Sequence, residues 1–140
     1  MSGKCLIFSF LFFILMSVVA CSKGGTGDAS CDSCYFNEPT ESQVVLRFSI
    51  SDENPLVDFA IYRGETFDGT PIYQGMADSS ELEIWLPLGS HYTVVADYCS
   101  NARNISVVAV GHLYADLTRT LCDEPCYMVY GRRFDLRLRF

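Results

Sequence analysis

Apolar residues at every second position, in one short run after another, constrain this chain more than any other feature. Val44, Leu46, Phe48 and Ile50 alternate with Val45, Arg47 and Ser49. Val57, Phe59 and Ile61 alternate with Asp58, Ala60 and Tyr62. Leu82, Ile84 and Leu86 flank Glu83 and Trp85. Tyr92, Val94, Ala96 and Tyr98 alternate with Thr93, Val95 and Asp97. Phe134, Leu136, Leu138 and Phe140 alternate with Arg133, Asp135, Arg137 and Arg139. A period of two puts successive side chains on opposite faces, so each run predicts a half-buried strand. Ile105–Val110 is more evenly apolar and predicts a strand covered on both faces. After Cys21, no stretch of ten or more residues carries the i, i+3, i+4 stripe of an amphipathic helix.

Turn-forming clusters separate the runs: Asp52-Glu53-Asn54-Pro55, Asp68-Gly69-Thr70-Pro71, Asp78-Ser79-Ser80, Pro87-Leu88-Gly89 and Val110-Gly111-His112. Glycine supplies positive φ and proline a fixed φ at such points. About seven strands in roughly 100 residues predict an all-β fold, a single antiparallel Greek-key β-sandwich over residues 41–140. The 49% hydrophobic and 14% aromatic content suffices for a core and excludes a disordered polymer. Four apolar residues of the last run share one face, so truncating it should expose that core.

The first twenty residues differ from the rest. Lys4 stands alone before Leu6–Ala20, which holds no charge. A short positive region followed by an apolar run of this length reads as an export signal, and it is too short to span a bilayer as a helix. It ends in Val18-Val19-Ala20-Cys21. This tetrapeptide resembles the lipobox of bacterial lipoproteins. The resemblance implies cleavage between Ala20 and Cys21 and acylation of the Cys21 thiol. Two or three acyl chains give lasting attachment to a membrane, since each buried CH₂ contributes about 0.8 kcal/mol. Residues 21–40 then read as the lipidated cysteine and a tether that opens with Ser22-Lys23-Gly24-Gly25. Ser22 follows the cysteine where inner-membrane lipoproteins usually carry Asp, so by resemblance the outer membrane is favoured.

Leu86-Pro-Leu-Gly-Ser-His-Tyr-Thr-Val-Val-Ala96 is similar to a segment of fibronectin type III and prealbumin-like domains. There a glycine turn leads into a strand whose tyrosine hydroxyl ties back to nearby backbone. The resemblance makes Tyr92 that corner tyrosine. The pair Ile61-Tyr62-Arg63-Gly64 and Ile72-Tyr73-Gln74-Gly75 fits the prealbumin-like pattern more loosely. Lipid-anchored fimbrial anchor proteins of Gram-negative anaerobes use such domains behind a similar lipobox, commonly two of them, where this chain has room for one.

Setting aside Cys5 and Cys21, five cysteines remain: Cys31, Cys34, Cys99, Cys122 and Cys126. Beyond the inner membrane disulfides are the default, and an odd number leaves one thiol over. Cys31/Cys34 and Cys122/Cys126 form two close pairs. They allow local bridges, cross-bridges that staple the tether to the strand before the last run, a four-thiolate zinc site, or a redox pair at Cys31/Cys34. Cys99 with His91 or His112 as base is a further nucleophile arrangement to test.

No phosphate loop, zinc-protease motif or nucleophile elbow is present. Asp52-Glu53 and Asp123-Glu124 read as solvated turns, and Glu81 and Glu83 as one polar strand face. The net charge of −7 argues against nucleic acid as a partner. Arg132, Arg133, Arg137 and Arg139 cluster near the last run, where pairing with acidic neighbours across the sheet is expected. Tyr62, Tyr73 and Trp85 are candidates for one exposed aromatic platform. The expectation is a non-catalytic, lipid-anchored envelope protein without metal or cofactor. It would be a binding or structural module in adhesion or surface assembly, with an envelope protein or glycan as partner. The alternatives are a carbohydrate-binding accessory lipoprotein, or a thiol-redox or zinc protein.

Overall fold

The computed structural model describes residues 34–119 and 124–139. The expected export segment and cleavage site Ala20/Cys21, and Cys31, Cys122 and Phe140, lie outside the described residues. Eight strands follow one another: β1 Glu41–Arg47, β2 Val57–Arg63, β3 Tyr73–Ala77, β4 Glu81–Pro87, β5 Ser90–Ser100, β6 Arg103–Thr118, β7 Cys126–Tyr130 and β8 Arg133–Asp135. They form two sheets, β4-β1-β8 and β3-β2-β5-β6-β7. The fold is all-β, a sandwich of a three-stranded and a five-stranded sheet, with no helix among the described residues.

The alternation that predicts the strands also fills the core. Val44 and Leu46 of β1 and Leu86 of β4 are buried with Phe134 and Leu136 from the chain around β8. They meet Phe59 and Ile61 of β2, Tyr92, Val94, Ala96 and Tyr98 of β5, and Leu113 of β6. Each large apolar side chain taken fully from water contributes about 1.5–3 kcal/mol.

The two ends of the sandwich are built differently. At one end β4 turns directly into β5 through Leu88 and Gly89, and Gly89 sits at φ 76°, where a side chain would be strained. Residues ahead of β1 run along this end, so it is called the arm end. At the other, the hairpin end, β5 and β6 join through Asn101 and Ala102, at φ 51° and 58°. Two consecutive left-handed residues give the turn whose twist matches the flanking strands. Asn tolerates this conformation, whereas Ala occupies it at a steric penalty.

Four expectations are corrected. The strands number eight, because Tyr73–Ala77 pairs with β2 as an edge strand that lacks an alternating run. The last run enters the sheet only over Arg133–Asp135, and it lies parallel to β1, so the sandwich is not wholly antiparallel. Phe134 and Leu136 nevertheless stay buried and Leu138 packs on the core, because side chains keep alternating after ladder pairing stops. Strand β6 is covered on one face only. Ile105, Val107 and Ala109 pack inward, while Val108 and Val110 are exposed on the outer face. Finally, Arg137 and Arg139 bind Asp135 on their own segment, at 2.7 and 2.8 Å, instead of an acidic residue across the sheet. Arg47 makes a cross-strand pair with Glu81, at 3.0 Å.

Candidate functional site

The arm end gathers features that sequence reasoning had left scattered. Cys34 is disulfide-bonded to Cys126, 92 residues further on, with Cα atoms 5.5 Å apart. Tyr35 and Tyr127 exchange backbone hydrogen bonds of 3.0 and 2.8 Å. Thr40 then accepts the Leu88 amide at 2.9 Å, which leads the chain into β1. Of the pairings the cysteine spacing allows, the described residues thus contain a cross-bridge, from the arm to β7. With Cys34 and Cys126 bonded to each other, neither a four-thiolate zinc site nor a Cys31–Cys34 redox pair forms in this state.

Strand β6 shapes this end. Its first eleven residues pair with β5 and its last five with β7. At about 3.3 Å per residue, that last stretch carries β6 and β7 some 15 Å past the start of β5. The tip so formed bears Leu117, Tyr127, Tyr35 and Phe36, and Phe36 is 77% exposed.

Across the outer face of the five-stranded sheet runs a row of rings. His91 faces His112 across β5 and β6, with ring centroids 4.2 Å apart and planes 11° from parallel. His112 stacks on Tyr114 at 4.9 Å, and Tyr114 on Tyr130 at 5.2 Å. The local backbone explains the closeness. The His91 carbonyl accepts the Gly64 amide, so its polar groups face β2 and the His91–His112 pair is of the non-hydrogen-bonded kind. Side chains stand closest in such pairs. Glu65 lies 3.4 Å from His91 Nε2. Gly131 holds the β7 end of the row: its φ is 76°, and a Cβ there would overlap the His112 carbonyl oxygen. Periodicity did not reveal this row, because its members come from three strands and only register brings them together.

Two buried tyrosines of β5 tie the five-stranded sheet to segments of the other sheet. The Tyr92 hydroxyl donates to the Pro87 carbonyl at 2.7 Å. The Tyr98 hydroxyl donates to the Leu136 carbonyl at 2.8 Å and accepts the Ser49 amide at 3.1 Å. Burial pushes the Tyr98 hydroxyl pKa up, against the hydrogen bond from the Ser49 amide, and the nearby Asp135 charge adds to the rise.

The sequence candidates fall out as follows. Cys99 is a free, exposed thiol at the hairpin end, opposite Asn104. His91 is eight residues away along the same strand, roughly 26 Å at strand rise, so neither histidine serves Cys99 as a base. Cys99 lies instead near a hollow lined by Glu53, Asp58, Asp97 and Ser106, where the Ser106 hydroxyl donates to Asp97. Buried Asn54, which no motif flagged, accepts the Cys99 amide at 2.8 Å and anchors the loop holding Asp52 and Glu53. The platform of Tyr62, Tyr73 and Trp85 does not exist. Trp85 is on the three-stranded sheet. Tyr62 and Tyr73 are on the other sheet and on opposite faces of it, Tyr73 pairing with Ile61 and stacking on Phe59. Glu81 and Glu83 do share an exposed face, tied to Arg47 and Gln43. Among the described residues, no three His, Cys, Asp or Glu side chains are placed to hold a metal ion. Comparison with protein-family models, with curated proteins and with solved structures yields no match.

Proposed function

We propose that this chain is a lipid-anchored envelope protein, acylated at Cys21, whose β-sandwich is a non-catalytic binding or structural module in adhesion or surface assembly. The observation that carries this reading is the Cys34–Cys126 cross-link. Cys34 stands thirteen positions after Cys21. The first fixed point after a lipidated Cys21 would therefore be a covalent bond into the five-stranded sheet. A pull on the anchor would reach β7 directly and would not be spent peeling β1 from β4 and β8. The bond also suits an oxidising compartment, which an exported chain reaches. Ser22 after the cysteine favours the outer membrane by its resemblance to retained and released lipoproteins.

Metabolic labelling with a fatty acid tests the anchor. Label should enter the wild-type protein and be lost in Cys21→Ala. Label retained in that variant, or a native protein recovered free of membranes, would overturn the reading. The carbohydrate-platform alternative loses its basis with the separation of Trp85 from Tyr62 and Tyr73.

A further inference from the structure

The exposed aromatic side chains are not spread evenly over the sandwich. Six large aromatics among the described residues are exposed: Tyr35, Phe36, Phe67, Tyr73, Trp85 and Tyr114. Register places all six on the half of the molecule toward the arm end. Tyr35 pairs with Tyr127 at the tip, and Phe36 follows it. Tyr114 lies on β6 beyond the start of β5. Trp85 is two residues from the end of β4. Phe67 leaves β2 at this end and packs its ring 6.3 Å from Tyr62. Tyr73 is the least advanced, level with Ile61 and Val94. The exposed apolar residues toward the hairpin end are aliphatic, Leu56 and Met76.

We propose that the arm end rests on the bilayer, with the rings at its tip, Tyr35 and Phe36, in the headgroup region of zwitterionic lipid and the remaining exposed rings behind them. This inference rests on acylation of Cys21. Rings with an apolar body favour the boundary between hydrocarbon and water. Distance makes the contact available. Thirteen residues reach at most about 45 Å, so an acylated Cys21 keeps the tip within that radius of the membrane. A tether this short gives an effective concentration on the order of millimolar, so a contact too weak to bind free protein is still populated. Charge selects the lipid. Glu38, Glu41, Glu65, Asp68, Asp116 and Glu124 lie at this end, against Arg63, Arg119 and Arg132, which leaves it acidic. Such a surface is repelled by anionic headgroups, so the contact is apolar and should persist in high salt.

The test uses the exported, acylated chain reconstituted in phosphatidylcholine vesicles carrying brominated acyl chains. Trp85→Phe removes the single tryptophan. On that background Phe36→Trp reports on the tip, and Leu56→Trp on the hairpin end. Both parent residues are exposed, so the fold should tolerate either change. Fluorescence of the Phe36→Trp reporter should be quenched at least about twofold more than that of the Leu56→Trp reporter, and replacing part of the lipid with phosphatidylglycerol should reduce the difference. Equal quenching in protein that floats with the vesicles overturns the proposed orientation and leaves the anchor standing. Protein that does not float removes the anchor, and this inference with it.

Discussion

The arm end and the hairpin end are both closed by a tyrosine hydroxyl from β5, yet they are closed over very different distances along the chain. Tyr92 reaches Pro87, five residues upstream. Tyr98 reaches Leu136 and Ser49, 38 and 49 residues away, and joins three segments that meet only in the finished sandwich. At the arm end the Thr93 hydroxyl donates to the Gly64 carbonyl at 2.9 Å, 29 residues away, a single bond between two segments, and the longest link is the disulfide, which spans 92. One end is thus locked by covalent chemistry and local turns, the other by a buried hydrogen-bond hub.

The largest way to break this contrast is to cut the covalent lock. A loop of 92 residues closed by a disulfide contributes about 4–5 kcal/mol through the unfolded chain. Cys34→Ser with Cys126→Ser should lower stability to denaturant by that order. Hydrogen exchange should then rise first at Tyr35 and in β7, with the amide of Cys99 at the hairpin end changing least. Uniform loss of protection would mean that the two ends are not separable.

The hub comes next. Tyr98→Phe leaves the Leu136 carbonyl and the Ser49 amide without their partner, at about 1–3 kcal/mol. Tyr92→Phe frees a single carbonyl beside a turn and should cost about 1 kcal/mol. Chemical denaturation of both variants checks the order, and equal losses would erase the distinction between hub and local tie. Ala102→Gly goes the other way. It relieves the left-handed alanine in the hairpin and should add about 1 kcal/mol at the end that has no disulfide.

The smallest effect tests charge near the hub. The hydrogen bond from Arg137, with help from Arg139, holds the Asp135 carboxyl well below the usual carboxylate range, against the penalty of partial burial. A depressed carboxylate adds stability that is complete above its ordinary value of 3.8 and drains away as pH falls toward its folded value. Asp135→Asn should therefore lower stability to denaturant slightly at neutral pH, by the ~0.2–1 kcal/mol typical of accessible pairs, and the gap should close in acid. A gap that widens in acid would reverse the sign assigned here.

The sequence carries the strands well because inward-facing residues repeat every two positions, and burial enforces that period at Val44/Leu46 and Tyr92/Val94. It carries Tyr92 because its partner is local, inside the Leu86–Ala96 segment. It does not carry Tyr98, Asn54 or the His91–His112–Tyr114–Tyr130 row, whose partners are chosen by register between strands far apart in the chain. The strand Tyr73–Ala77 escaped for another reason. Gly75 breaks its pattern, and the Phe59 ring fills the space that a side chain there would need. Periodicity reports what faces water or core; it says nothing about which strand lies alongside.

The parallel pairing of β8 with β1 has a consequence for how the molecule is made. Strand β1 sits in the middle of its sheet, between β4 and β8. A chain made from its N-terminus must keep one side of that strand bare until residues 133–135 arrive. Closure of the smaller sheet is therefore a late event, and pairings this distant along the chain form slowly. During that interval β1 offers an unpaired edge to any neighbouring chain, which makes that delay, more than the finished sandwich, the point at which this protein is open to mispairing.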